Sequence, residues 1–444
     1  MMAKSRLKSD IFYYEVEIFK QMYESENIWN IVFYKWVEIT DEEFIQDMEE
    51  SGVILISYTN KKNLIEQLKK VQKYSHTIFI NTTGELMITM CNNIKKELGQ
   101  EISQHPKMFR DKFLQRKLLQ KNGGTNGIRF VSWKLKDLKY EDIEKKVWLP
   151  FILKPVNGLQ SSWVVKVENK KDFSHYKYHY YSFHENCQSR WFESNLMIAE
   201  EFIDGKLYSI DYFVDETWHC TISEPVCVET GKDLQIDDYF NACMHASQKV
   251  EREVDRSILE TFIRECVEIT GIKNTFVHHE FKITQKWEFK TIEFNGRIWW
   301  GRVELMKESY GINLYNYILW KKQKKSSLEN NFIKVNIYSP VKWILTGYNE
   351  ELLQRVKHKR SVYEIEYHRS LLGKTVWLTK DWFTKVITIK MKHADIKIIE
   401  KDLKYIKRHY ETFLRVEDES TFTEVITYIR TLWYNLNPRW KKKK

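Results

Sequence analysis

Paired cysteines, glycine-rich turns and long apolar runs are all missing from this 444-residue chain. The six cysteines (Cys91, Cys187, Cys220, Cys227, Cys243 and Cys266) are scattered, and none forms a Cys-x-x-Cys pair. In a chain of this length that spacing excludes a disulfide framework and a cysteine zinc site, and reads as reduced core residues. No apolar stretch approaches the roughly 20 residues that cross a bilayer, so no membrane partner is expected. Met1–Asp10 is charged and lacks the apolar segment of a secretory signal. A cytoplasmic location is the expectation. No glycine-rich turn follows the early strand patterns, which argues against a dinucleotide site in the first lobe.

Hydrophobic residues make up 43%, charged residues 30% and aromatics 15% of the chain. These proportions exclude disorder and supply a sizeable core, and the length implies several lobes. The formal charge of +10 is mostly lysine spread along the chain, with a run at Lys441–Lys444. It reads as a solvated surface. The Trp, Tyr and Lys residues form no basic-aromatic cluster confined to one element, so no nucleic-acid partner is expected.

The first hundred residues alternate strand and helix signals. Val53–Tyr58 and Thr77–Ile80 have strand composition, while Leu64, Ile65, Leu68 and Val71 fall at helical spacing. A second helical pattern runs from Glu85 to Leu98 and stops at Gly99. This alternation predicts a small parallel sheet covered by helices. A helix is predicted over Arg110–Asn122, closed by Gly123 and Gly124. Short strands dominate Trp148–Ile210, interrupted by an aromatic helix-like stretch near Phe173–Trp191. A long helix presents Ile258, Leu259, Phe262, Ile263, Cys266 and Val267 on one face. Strands follow at Thr275–Ile283 and Glu288–Phe294. Lys321–Ser327 reads as a linker, and the last hundred residues mix short strands (Val341–Leu345, Val386–Ile389) with helices.

The chemistry concentrates on the hairpin. Glu280 and Glu293 lie on strands joined by a turn at Gln285–Trp287. Adjacent strands lie about 4.8 Å apart, so two acids on one face can share a cation. Asn295 is two residues beyond Glu293 and shares its face. Two carboxylates and an amide oxygen are hard ligands that suit Mg²⁺, with Mn²⁺ accepted by the same set. Arg297, two residues further, can bring a planar guanidinium to phosphate or carboxylate. By alternation, only His278 of the pair His278-His279 shares the face of Glu280.

Weaker features accompany it. Lys154 ends the apolar strand Phe151-Ile152-Leu153, where a compact cation suits a phosphate. Asp111-Lys112 heads the predicted helix. Ala199-Glu200-Glu201-Phe202-Ile203-Asp204-Gly205 is a strand that breaks at glycine, with backbone groups free to read a base edge. His175 and His179 stand one helical turn apart, with His184 nearby. Asp237 and Asp238 fall in a loop where substrate could be touched.

Together these residues resemble the ATP-grasp superfamily in the family's own order: an Asp-Lys helix, a Lys-Pro strand end, Glu-Glu-Phe-Ile-x-Gly, then a paired-acid hairpin ending Glu-x-Asn-x-Arg. His278-His279-Glu280-Phe281-Lys282 and Glu293-Phe294-Asn295-Gly296-Arg297 look like the carboxylate–amine ligase branch, which includes L-amino acid ligases. The likeness covers about residues 50 to 320. It implies an α/β and α+β protein with an N-terminal Rossmann-like lobe (1–108), a linker helix and small β-rich lid (109–205), a central antiparallel-sheet lobe (206–325) and a C-terminal α+β region (326–444).

The resemblance also implies roles. Lys112 and Lys154 would contact ATP phosphates, helped by Ser161 and Ser162. Glu200, Glu201, Phe202 and Ile203 would hold the nucleotide base. Glu280, Glu293 and Asn295 would hold Mg²⁺, while Arg297 and Lys154 would be catalytic. The expected reaction activates a carboxylate as an acyl-phosphate and joins it to an amine, releasing ADP and phosphate. Expected partners are small carboxylate and amine substrates, amino acids among them, and a second copy in a homodimer. A ligase acting on a peptide or protein and a non-catalytic ATP-binding protein are the alternatives. The phosphate loop Asn157-Gly158-Leu159-Gln160-Ser161-Ser162-Trp163 departs from the family in having one glycine. Leu207 stands where a ribose-binding Glu is common. Trp299 and Trp300 replace small residues and would narrow the acceptor pocket.

Overall fold

The computed structural model describes residues 31–35, 54–58, 60–72, 80, 85–121, 127–158, 161–186, 196–314, 330–378 and 385–418. It divides into two units. The first comprises Met1–Asn157, Lys166–Val228 and His245–Phe332, and the second Gly158–Val165, Glu229–Met244 and Ile333–Lys444.

The first unit opens with β1 (Ile31–Lys35) and β2 (Ile54–Tyr58), paired in parallel with Ile31 opposite Ile54. Helix α1 (Lys61–Gln72) follows, then α2 (Ile88–Glu97). The helical spacing read from Leu64 and Leu68 buries both against Ile94 and Leu98. Of the strand expected at Thr77–Ile80, residues 77–79 lie outside the described residues, as does the linker expected at Lys321–Ser327.

Helix α3 (Lys112–Lys121) starts later than expected because Arg110 ends a tight turn and Asp111 caps the helix. The Asp111 carboxylate accepts the Leu114 N–H at 2.9 Å. Next come β3 (Phe130–Lys134), α4 (Tyr140–Val147), β4 (Phe151–Pro155), β5 (Val165–Val167), α5 (Lys170–Asn186) and β6 (Leu196–Glu201). The strand order is β3-β6-β4-β5. Phe173, Tyr176 and Tyr180 lie buried along one stripe of α5, which is why an aromatic stretch folds here as a helix.

After β6 the chain turns at Gly205 and enters β7 (Lys206–Val214), β8 (Cys220–Ile222), β9 (Val226–Thr230) and β10 (Asn241–Ala246). Helices α6 (Gln248–Glu253) and α7 (Arg256–Thr270) precede β11 (Thr275–Ile283), β12 (Phe289–Asn295) and α8 (Trp300–Tyr310). β11 runs antiparallel between β7 and β12. Alternation splits this sheet into two chemically different faces. Tyr208, Ile210, Tyr212 and Val214 of β7 join Val277 and Phe281 of β11 in an apolar core with Leu259, Phe262, Ile263 and Cys266 of α7. Ser209, Asp211, His278, Glu280, Glu293 and Asn295 fall on the other face. Asp255 caps α7, accepting the N–H groups of Ser257 and Ile258 at 2.9 and 3.1 Å.

The second unit holds most of β13 (Asn331–Ile337), then β14 (Trp343–Tyr348), α9 (Glu350–Lys357), β15 (Val362–Tyr367), β16 (Thr375–Val376), β17 (Ile387–His393), α10 (Ile396–Arg408) and β18 (Leu414–Glu417). β14 lies between β16 and β18, and β15 pairs with β17, all antiparallel. Ile333, Val335, Leu352, Val356, Ile389, Ile399 and Ile406 build its core. Among the described residues no helix is long and apolar enough to cross a membrane.

Candidate active site

The hairpin places Glu280 directly opposite Glu293 and His278 opposite Asn295. Directly opposed residues bring their Cβ atoms to about 4.5–5.5 Å, so the two carboxylates crowd one another. On the far side of β11, Asp211 stands opposite His278 and Ser209 opposite Glu280. The polar face is therefore a grid of two rows, Asn295–His278–Asp211 and Glu293–Glu280–Ser209. Glu280, Glu293 and Asn295 share one face of the hairpin in this register.

Charge partners surround the grid. Lys112 Nζ lies 2.8 Å from Glu293. His278 bridges two acids, with Nδ1 3.2 Å from Asp211 and Nε2 3.5 Å from Glu280. Asp211 also accepts the Trp299 N–H at 3.3 Å and lies 3.8 Å from Arg302 Nε. Arg302 Nη2 donates a hydrogen bond to Ser209 Oγ. Burial pushes the Glu280 carboxyl up, but the His278 bond with the charges of His278, Arg302 and Lys112 outweighs it and leaves the group below its ordinary value. For Glu293 burial prevails. Lys112 pulls that carboxyl down, yet Glu85 and Glu280 push it further up, and it ends above the usual carboxylate range. Burial pushes His278 down, and the two acids reverse the sign and raise it.

Helix α3 is locked onto β12 by paired contacts. Gln115 Nε2 donates to Phe294 O at 2.9 Å, and Gln115 Oε1 accepts the Phe294 N–H at 3.1 Å. Arg116 Nη2 donates to Ile292 O at 2.6 Å. These clasps set the height of Lys112 over Glu293. Arg116 also joins the second cluster. Its Nε lies 2.8 Å from Glu200, whose other oxygen lies 2.7 Å from Lys154 Nζ. Burial pushes the Glu200 carboxyl up, and Arg116 and Lys154 overcome it, leaving Glu200 lowered. Burial lowers Lys154, with Arg116 and Lys112 adding to the effect against Glu200. The charge of Lys112 thus acts on Lys154, Glu280 and Glu293 alike.

The remaining sequence-predicted residues are distributed as follows. The Glu200 carboxylate is committed to Lys154 and Arg116. Glu201 lies on the opposite face of β6, 2.6 Å from Arg129, which leaves only its backbone on the side of the break. Phe202 carries the ammonium groups of Lys166 and Lys282 at 4.6 and 5.0 Å from its ring centre. The Ile203 carbonyl accepts from Lys282 Nζ at 2.9 Å. Ser161 and Ser162 fall in Gly158–Val165, a segment of the second unit. Ser161 and Trp163 both adopt φ of +57°, the left-handed region that a glycine-rich loop would enter freely. Leu159 and Gln160 lie outside the described residues, as do the side chains of His179, His184 and Trp300. Asp237 pairs with Lys232, and Asp238 accepts the Phe240 N–H at 3.1 Å.

Arg297 reaches a residue that sequence reasoning did not single out. Its Nη2 lies 3.0 Å from Glu85 Oε2, and Arg110 Nη1 lies 3.2 Å from Glu85 Oε1. Nε and Nη1 of Arg297 are buried without a hydrogen-bond partner among the described residues, and so is Asn295 Oδ1. Arg116, Asp211 and Arg302 were missed as well. Arg116 is four residues past Lys112 and so shares its helix face. Asp211 is an acid inside the apolar run Ile210–Val214, which is a signal in itself. Glu85 and Arg302 have no local signal.

The fold and this arrangement define the class. The family model described as "ATP-grasp domain" matches residues 147–303, from the end of α4 into α8. The chain has the ATP-grasp fold. The sequence matches none of the curated proteins compared. Among solved structures it is similar to L-amino acid ligase from Bacillus licheniformis, at 17% identity and a TM-score of 0.65, covering 90% of this chain and 95% of that one. It is also similar to N5-carboxyaminoimidazole synthetase from Staphylococcus aureus complexed with ADP, at 13% identity and a TM-score of 0.58, covering 88% and 94%. Biotin carboxylase from Campylobacter jejuni in its β-γ-ATP complex gives 14% identity and a TM-score of 0.56, covering 91% and 90%.

Proposed function

We propose that this chain is an ADP-forming ligase that uses ATP and Mg²⁺ to activate a carboxylate as an acyl-phosphate and joins it to an amine. The observation that carries this reading is the direct opposition of Glu280 and Glu293, with the orphaned amide oxygen of Asn295 beside them. Two opposed, partly buried carboxylates repel one another even with Lys112 and His278 beside them. A divalent cation between them would offset that repulsion, and the buried amide oxygen lacks a donor among the described residues. This donor set fits Mg²⁺. Glu280, Glu293 and Asn295 would hold the ion, which when bound supplies positive charge to the phosphate oxygens.

The chain's own residues account for the rest. Lys154 gives one of its three ammonium donors to Glu200 and keeps donors for phosphate. Lys112 stands between the acids and the Lys154 cluster, where it steadies phosphate charge. The substrate carboxylate attacks the γ-phosphorus in line and ADP leaves. The amine then attacks the acyl carbon, losing a proton, and phosphate departs. Arg297, with N–H groups to spare, stabilises the developing oxyanion. Catalysis is positioning and electrostatics, and no side chain needs to act as nucleophile. Amino acids are the first substrates to test, since the similar Bacillus licheniformis protein is named for them.

The test is a phosphate-release screen of paired carboxylic acids and amino acids with ATP and Mg²⁺. Glu293→Ala and Lys154→Ala are each expected to cut turnover by about 10²-fold or more, with the circular-dichroism spectrum retained. Near-normal turnover in both variants would remove the assignment.

A further inference from the structure

Glu85 lies far from the hairpin in sequence, 212 residues from Arg297, yet it contacts the guanidinium expected to meet the reacting group. It opens a short turn just before α2. Each of its two oxygens takes a different arginine, Arg110 at 3.2 Å and Arg297 at 3.0 Å. All three side chains are largely buried, at 12%, 7% and 11% exposure for Glu85, Arg110 and Arg297. The two arginines come from different elements. Arg110 lies two residues before α3, which begins with Lys112, and Arg297 lies two residues after β12, which carries Glu293 and Asn295.

We infer that Glu85 is a positioning residue for Arg297 in the proposed reaction. The assignment rests on the ligase reading of Arg297. An arginine side chain has many rotamers and gains directional value only when its plane is fixed. Glu85 holds Arg297 by one terminal nitrogen and leaves Nε and Nη1 without partners among the described residues. A buried guanidinium with unmet donors is costly, and the arrangement becomes useful when an anion arrives on those donors. Glu85 also separates two like charges, Arg110 and Arg297, that would otherwise repel. Removing it therefore loosens the guanidinium; it leaves the contacts of Lys112 and Lys154 in place and lifts one of the charges that raise Glu293.

The experiment uses the full chain and follows ADP release with ATP, Mg²⁺ and an equimolar mixture of the twenty amino acids. Glu85→Gln is expected to lower kcat by about 10- to 100-fold while KM for ATP moves by less than about 2-fold. Glu85→Gln added to Arg297→Ala is expected to cost nothing further, since the positioned group is already gone. If Glu85→Gln is recovered unfolded, Glu85→Asp is read in the same way. It keeps the charge and withdraws it by one methylene.

Wild-type kcat in Glu85→Gln alongside an inactive Arg297→Ala overturns the positioning role alone. A full additional loss in the double variant does the same, because independent effects add. Wild-type turnover in Arg297→Ala, or no turnover in the unmodified chain, removes the ligase reading of the site and this assignment with it.

Discussion

His278 and His279 are chemically identical neighbours, and one step along a strand gives them opposite fates. His278 faces the acids and is raised, as set out above. His279 faces the apolar core, with ring centres 4.3 Å from Phe294 and 5.3 Å from Phe262. Burial pushes it well below its ordinary value, with His278 and Arg116 adding to the effect. A histidine depressed in the folded state contributes stability that is complete above its unfolded value of 6.5 and is lost as pH falls below it. His278 works in the other direction: its contribution is complete below 6.5 and is lost as pH rises through its folded value. His279→Phe is therefore expected to hold its urea midpoint better than the parent between pH 7 and pH 5. An unchanged pH slope would show that His279 carries no such penalty.

At the scale of elements, the break after β6 depends on one backbone geometry. Gly205 has φ of +146°, and a Cβ there would stand 2.3 Å from the Ile283 carbonyl oxygen. That contact is with backbone on β11, so no side chain can move aside. Gly205→Ala is expected to lower unfolding stability by about 2 kcal/mol or more, from clash and an unfavourable φ together. A denaturant midpoint within error of the parent would contradict this. The α3–β12 clasp is a second element-level device. Gln115 exchanges two bonds with Phe294, so the helix bearing Lys112 and the strand bearing Glu293 hold one relative height.

At the scale of the whole chain, the polar face of the β7–β11–β12 sheet gathers carboxylates whose mutual repulsion a bound cation would relieve, and the cation in turn would favour the nucleotide's phosphates. Ligands that bind only the folded state stabilise it by mass action, about 2.7 kcal/mol at a hundredfold excess over Kd. Non-hydrolysable ATP with Mg²⁺ is expected to raise the thermal midpoint of the parent protein, and chelation by EDTA to remove most of that rise. Glu293→Ala should show no Mg²⁺-dependent increment. An increment of parental size in that variant would place the cation elsewhere.

Much of the site was legible in the sequence because it is local. Alternation along Thr275–Ile283 and Glu288–Phe294 put Glu280, Glu293 and Asn295 on one face and separated His278 from His279. Strand period alone carries that information, and the register bears it out. The helix faces of α1 and α7 were readable for the same reason, although Ile258, placed on the buried stripe of α7, is 53% exposed at the helix's first turn. What the tertiary structure decided is which distant charges meet. Glu85 finds Arg297 and Arg110, Arg116 finds Glu200, and Arg302 finds Asp211, all across separations that no local period encodes. A buried charge must have a partner, but burial comes from the packing of whole elements, and the choice of partner is settled only when they are packed.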